Sequence, residues 1–443
     1  MTLYRNKVLP VLSFLLLAAC ASLQAQDKMK LSVEQAVQTG IENSKSLKIS
    51  GSKVKAAFAR LNEVDANKYA WLKFTGSYTR LSPLDPFTIT VPNMGSFVLA
   101  PSILDNYSAK LSLTQPLFTG NKISAGSESA EHLAKASNAD FTKDKQDLVL
   151  NIKNAYWTLY KASELKKSLD ENVQSVEGHL KDAKNLAEQG LLTRNDVLKI
   201  EVQLSDIRYK LADAKNGIRL ATIALNNLLG IALGTEIEID SKPEFSDAKF
   251  NNLDQLLSSS YENRSELAAA EARIHASEAG VTSAKSGWYP QVSLMGNYTY
   301  AQPNQRIQPT HNKFDGTWDL SVGVSMDLWN WNTTSHQTEQ AEAQLLQAKE
   351  AKGIAKDGIT LEVTQNFLSI GLAKEKISIS ELAKQQAEEN YRITGEKFKQ
   401  GLALSTDLVD AEVAYLTAKT NYTTAVVDYE IALAKMQRSI EAK

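Results

Sequence analysis

The sequence contains little that interrupts a helix and almost nothing that cross-links or binds metal. It has 10 prolines, 21 glycines and one cysteine in 443 residues. A lone cysteine, Cys20, excludes an internal disulfide, so stability must come from packing or assembly. His132, His179, His275, His311 and His336 lie far apart without ligand spacing, and neither a metal nor a cofactor is expected. With no Ser, His and Asp grouping and no glycine-rich phosphate loop, an enzyme is not expected either. A formal charge of −2 gives no reason to expect nucleic acid as a partner. No stretch approaches about 18 unbroken apolar residues, which excludes a membrane-spanning helix.

What fills the chain instead is Ala, Leu, Glu, Lys, Gln and Asn, the composition of long helices. The N-terminus has the order of an export signal: Arg5 and Lys7, then the apolar run Val8 to Ala19, too short to span a bilayer. Two processing routes are open. Leu17-Ala18-Ala19-Cys20 fits a lipoprotein signal spanning 1–19, which would leave Cys20 as a lipidated first residue. Cleavage after Ala25, with a signal of 1–25, or after Ala21 would discard the thiol.

The mature chain repeats itself. Residues 31–78 overlay 251–298 at a shift of 220, and 109–228 overlay 320–439 at a shift of 211. Gln189-Gly190-Leu191 thus falls on Gln400-Gly401-Leu402, Asp196 on Asp407 and Glu201 on Glu412. The change of shift places a longer loop in the first copy between Tyr78 and Ala109. The expected organisation is a first repeat at 26–230, a linker at 231–250 and a second repeat at 251–443.

Within each copy the period changes from helical to alternating and back. Val197, Ile200, Leu204, Ile207, Leu211 and Ala214 form unbroken heptads, matched by Leu408, Ala411, Tyr415, Ala418, Tyr422 and Ala425. The proline-free stretches from about 121 to 189 and 333 to 400 predict rods of roughly 100 Å at 1.5 Å per residue. Shorter helices are expected at about 31–69, 194–229, 252–287 and 405–441. Between them, strict alternation predicts strands at about 71–81, 106–118, 291–301 and 315–328. Their length and flanking aromatics (Trp71, Phe118, Trp288, Trp318, Trp329) suit tilted transmembrane β-strands. Four strands cannot close a barrel, and lipid tolerates no open edge, so copies of the chain must pool their strands.

At this point the chain resembles the outer-membrane efflux protein family, the TolC-like channels. The doubled architecture carries the resemblance, together with Trp288-Tyr289-Pro290-Gln291, Gln115-Pro116-Leu117-Phe118, Leu225-Asn226-Asn227-Leu228-Leu229-Gly230 and the two Gly-Leu turns. It implies a mainly α fold with a membrane β-barrel part: a homotrimer with a twelve-stranded outer-membrane barrel and a twelve-helix periplasmic α-barrel. It also implies location in the outer membrane of a Gram-negative bacterium, in contact with outer-membrane lipid. The implied function is an outer-membrane channel of a tripartite efflux or type I secretion system. Its implied partners are a periplasmic adaptor (membrane fusion protein) and an inner-membrane transporter of the RND, ABC or MFS class. The competing reading is a soluble periplasmic coiled-coil adaptor or scaffold, which explains the heptads but not the two matched strand pairs.

The resemblance assigns roles to the two turns. Gly190, Leu191, Thr193, Gly401, Leu402 and Ser405 become adaptor-contact hairpin tips; Asp407, Asp410 and Asp196 become the channel entrance gate. Asp407 and Asp410 share one helix face, whereas Lys199 stands where Asp410 has its counterpart. The same residue types also serve as ordinary caps: glycine after a helix, Thr, Ser and Asp before one.

Overall fold

The computed structural model of the chain describes residues 29–100, 102–243, 250, 252–308 and 310–440. The expected signal and Cys20 lie outside them. A short strand β1 (Met29–Leu31) leads into α1 (Val33–Asn43) and α2 (Lys45–Ala66). Then follow β2 (Trp71–Arg80), β3 (Phe87–Val91), β4 (Gly95–Ala100) and β5 (Asp105–Phe118). Two long helices come next, α3 (Lys122–Glu188) and α4 (Arg194–Leu229), then β6 (Ile237–Ile239). The second copy supplies α5 (Leu253–Asn263), α6 (Ser265–Lys285), β7 (Gln291–Gln302), β8 (Asp315–Ser325), α7 (Thr333–Lys399) and α8 (Ser405–Ser439).

The single helices expected at 31–69 and 252–287 are each two, broken at equivalent positions. Ser44 has an extended ψ of 122°, and its hydroxyl accepts from Leu47 N, restarting the helix as a cap would. In the second copy Arg264 occupies the break with ψ 122°. Its guanidinium, 3% exposed, meets both carboxylate oxygens of Glu362 at 3.1 and 2.8 Å. The bidentate geometry gives the buried charge the partner that burial demands.

The chain divides into two compact units. One comprises the described parts of Met1–Ser50, Phe141–Arg264 and Lys356–Lys443, and the other Gly51–Asp140 and Ser265–Ala355. In the first, the heptad residues of α4 are buried as the spacing predicts: Val197, Ile200, Leu204, Ile207, Ala214 and Leu225. The first five join Leu169, Val176, Phe398 and Leu408 in one cluster, while Ile152, Tyr156 and Leu159 centre another with Leu225 and Leu229. Each such leucine or isoleucine contributes about 1.5–3 kcal/mol on burial. Tyr156 also binds the linker, donating to Leu31 O at 2.8 Å and accepting from Ser241 N at 3.1 Å. The linker carries β6, which pairs in parallel with β1. Asn226 Nδ2 holds the turn before it through Leu233 O (3.1 Å) and Thr235 O (2.8 Å). Gly230 closes α4 at φ 69°, with Asn43 O only 2.9 Å from where a Cβ would stand.

The second unit carries an antiparallel sheet in the order β2-β5-β7-β8. The two copies share one internal register: Phe74 faces Leu111 in the first, and the equivalent Leu294 faces Val322 in the second. Rows run across all four strands, such as Phe74, Leu111, Tyr298 and Trp318 on one face, and Lys73, Ser112, Asn297 and Asp319 on the other. The apolar face is uncovered: Phe74 is 69% exposed, Trp318 72% and Val322 60%. The sheet is shorter at β8 than the alternation suggests, ending at Ser325 opposite Gln291. The partner strand continues there into Pro290, which has no N–H to extend the ladder. Asp327 therefore lies beyond the strand, whereas Asp319 sits on its polar face and accepts from Asn297 Nδ2 at 2.8 Å. The long first-copy loop is not irregular throughout, because β3 and β4 form a hairpin turning through Asn93 (φ 64°) and Gly95 (φ 90°).

Candidate functional site at the helical hairpin tips

Both long helices end in the same way. At the end of α3, Gly190 N donates to Ala187 O (3.0 Å) and Leu191 N to Leu186 O (2.9 Å); Gly401 N and Leu402 N repeat this with Phe398 O (2.9 Å) and Lys397 O (2.8 Å). These are Schellman closures, and they need a left-handed residue. Gly190 and Gly401 supply it at φ 75° and 74°, with open space around them, so backbone conformation alone selects glycine. The following leucines are turned outward: Leu191 is 67% exposed and Leu402 73%. Leu404, not singled out in the sequence, adds a third exposed leucine beside them.

The next helices start differently in the two copies. Thr193 caps α4 in a reciprocal box: Asp196 N donates to its hydroxyl at 3.2 Å, and Thr193 N donates to Asp196 Oδ2 at 3.1 Å. The Thr193 hydroxyl lies 2.6 Å from the same carboxylate oxygen. At α8 the cap position is Leu404, which has no side-chain acceptor, and Asp407 Oδ2 receives only its backbone N–H at 3.1 Å.

Asp196 and Ser405 are brought together across the two hairpins. Ser405 Oγ donates to Asp196 Oδ1 at 3.1 Å. Ser405, expected at the adaptor-contact tip, is 1% exposed, and its hydroxyl is turned inward to the neighbouring hairpin. Thr193 bonds, foremost the hydroxyl and then the backbone N–H, hold the Asp196 carboxyl below the usual carboxylate range. Ser405 and Lys199, whose ammonium is 3.9 Å away, add to this.

Asp407 and Asp410 are exposed on the first two turns of α8, and neither forms an ion pair among the described residues. The chain does not bring them to Asp196. Their first-copy counterparts make an Asp196–Lys199 pair, so the uncompensated acids belong to the second hairpin alone. Among the described residues no cluster could hold a metal ion, and no helix is long and apolar enough to cross a membrane.

The profile of the family described as "Outer membrane efflux protein" matches residues 36–231 and 256–440, one stretch in each copy. Among curated relatives, the outer membrane protein TolC of Vibrio cholerae is 21% identical, covering 77% of this chain and 78% of the relative. The TolC of Escherichia coli is also 21% identical, covering 96% and 84%. The probable efflux pump outer membrane protein TtgC of Pseudomonas putida is 23% identical over 86% and 76%. In fold, the chain superposes on the outer-membrane channel OprN with a TM-score of 0.77 at 18% identity, over 93% of this chain and 90% of that one. For CusC the TM-score is 0.79 at 15% identity, over 95% of both. The protein belongs to the outer membrane efflux protein family, and it is an outer-membrane efflux channel protein with a large periplasmic helical part.

Proposed function

We propose that three copies of this chain form one channel, with a twelve-stranded barrel in the outer membrane and a periplasmic α-barrel that receives substrate through an adaptor from an inner-membrane transporter. The observation that supports it best is the four-stranded sheet, whose apolar face has no protein layer over it and whose edge strands β2 and β8 have no outer partner strand among the described residues. Lipid satisfies the face, and only neighbouring copies satisfy the edges. The repeat units proposed for this assembly are 26–230 and 251–443, joined by 231–250.

On this reading the hairpin tips form the periplasmic entrance. Leu191, Leu402 and Leu404, presented by the Gly190 and Gly401 turns, are the adaptor-facing surface. Thr193 acts behind them as a cap. Asp407 and Asp410 from three copies put six carboxylates around the axis, where they narrow the resting entrance and favour cations. The Asp196–Ser405 bond holds the two hairpins of one copy together behind that ring. A soluble adaptor leaves the uncovered apolar face unexplained.

The decisive experiment extracts the protein from outer membranes in detergent and compares unheated with heated samples on gels, then records conductance in planar bilayers. A heat-sensitive trimer that conducts is expected; a soluble monomer without conductance refutes the assembly. In the same bilayers, the double substitution Asp407→Ala plus Asp410→Ala should raise current and weaken block by divalent cations. Unchanged current and block would remove these acids from the gate.

A further inference from the structure

Helices α3, α7 and α8 meet around a polar group inside an otherwise apolar cluster. Glu412, two turns into α8, is 2% exposed. Asn172 Nδ2 on α3 donates to Glu412 Oε1 at 2.9 Å. The hydroxyls of Ser175 on α3 and Tyr391 on α7 are 2.6 Å apart, and both interact with the same carboxyl group. His179 Nε2 lies 3.0 Å from Tyr391 Oη and 3.3 Å from Ser175 Oγ. Tyr415, on the next turn of α8, stacks on Tyr391 with centroids 5.7 Å apart and planes 6° from parallel. Tyr391 packs against the apolar cluster that holds Leu169, Val176, Phe398 and Leu408.

Glu412 has no salt-bridge cation among the described residues. Its counterpart Glu201 does: Lys184 Nζ is 3.1 Å away and Arg194 4.0 Å. At the shift of 211, Lys184 becomes Gly395 and Arg194 becomes Ser405. The second copy has kept the carboxylate, buried it and removed both cations. The charges around it are engaged elsewhere. On α3, Glu171 pairs with Lys419 of α8 at 2.5 Å, and Glu177 with Arg208 of α4 at 2.7 Å. Asp182 and Lys399 of α7 act on His179 with opposite sign, and Glu388 of α7 acts on Tyr415.

We propose that Glu412 is a proton-binding site that fastens α8 to α3 and α7: protonated, it is a neutral hydrogen-bonding group among Asn172, Ser175 and Tyr391; ionised, it is an uncompensated charge that loosens the contact. Burial agrees, pushing its pKa from 4.5 up to about 7 against the pull of the Ser175 and Tyr391 hydrogen bonds. Burial pushes His179 the other way, below the ordinary imidazole value. Because the folded value is the higher one, the contact is tightest on the acid side and weakens as pH rises from the ordinary carboxylate value through about 7. The preference for the proton is on the order of 300-fold.

Hydrogen exchange on the intact detergent-solubilised protein tests this. After correction for intrinsic rates, protection of residues 405–420 should fall roughly 30-fold between about pH 5.5 and about pH 8. Glu412→Gln should remain protected at both. Wild-type protection independent of pH, or a Gln variant that keeps the dependence, overturns the proposal. Infrared spectra of the wild-type protein need no variant: a carboxylic acid band must be present at about pH 6 and gone by about pH 8, and its absence overturns the proposal as well. The consequence for the entrance rests on the channel reading. Open probability in bilayers should rise with pH in the wild type and stay level in Glu412→Gln. A protein that never conducts refutes that reading, while exchange still decides the proton site.

Discussion

Ser405→Ala removes one hydroxyl, and with it the one side-chain hydrogen bond that joins the two hairpin tips among the described residues. A hydrogen bond to a charged acceptor contributes about 1.5–3 kcal/mol. The 3.1 Å length, and an Asp196 side chain that keeps 22% of its surface in water, place this one at the low end. A loss of about 1.5 kcal/mol corresponds to roughly tenfold faster local opening. Asp196→Ala removes the same bond together with the Thr193 box, whose loss adds about 0.5–2 kcal/mol. It should therefore speed opening by roughly 30- to 300-fold. The double variant should be close to Asp196→Ala alone, because the shared bond is already gone. Hydrogen exchange of the segments 189–199 and 400–410 reads all three. If the two single effects add in full, the Asp196–Ser405 bond carries no energy and the interlock argument fails. The pH sign is the reverse of that at Glu412. Asp196 is depressed in the fold, so its contribution is present above the ordinary carboxylate value and is lost as pH falls through its lowered one.

Further substitutions probe the sheet and the linker. Leu320→Arg places a charge on the uncovered face and should cost about 2–4 kcal/mol near mid-membrane, whereas Thr317→Arg on the opposite face should be tolerated. Urea titration of the refolded barrel in bilayers compares the two, and equal costs would mean the faces are misassigned. Gly230→Ala combines a φ of 69° with a Cβ 2.9 Å from Asn43 O, and should lower stability by about 2–3 kcal/mol, read as a fall in Tm. Tyr156→Phe loses bonds to both Leu31 and Ser241 and should raise exchange at 29–31 and 237–241 by about tenfold, with no change at the hairpin tips.

The sequence made the regular parts legible because their periods are long. Unbroken heptads along one helix, or alternation along a whole strand, leave few other assignments, so α3, α4, α7, α8 and the four sheet strands follow from pattern. The hairpin turns were legible because φ near 75° has few residues that adopt it. The missed features are of another kind. β1 and β6 are three residues each, too short to show a period. The breaks at Ser44 and Arg264 carry no proline or glycine, and depend on one hydroxyl and one distant carboxylate, Glu362. The β3–β4 hairpin did have a signal, Phe87, Ile89 and Val91 alternating with threonines ahead of Asn93, obscured by the prolines around it. Burial of Ser405 and Glu412 arises from three helices meeting, which no single stretch of sequence records. The gate acids were read from the family resemblance, and their role is the proposal made above.

The seam between β5 and β7 joins the second strand of one repeat to the first strand of the other, setting Leu111 opposite Tyr298. A seam from β8 to the β2 of a neighbouring copy is the same junction under the repeat's own numbering. Carrying Leu111 forward by 211 and Tyr298 back by 220 sets Val322 beside Tyr78. In the proposed assembly, the gene duplication thus left within each polypeptide a template for its quaternary contact. A cysteine pair at those two positions should cross-link copies to one another, and a ring closed by any other stagger would leave them apart.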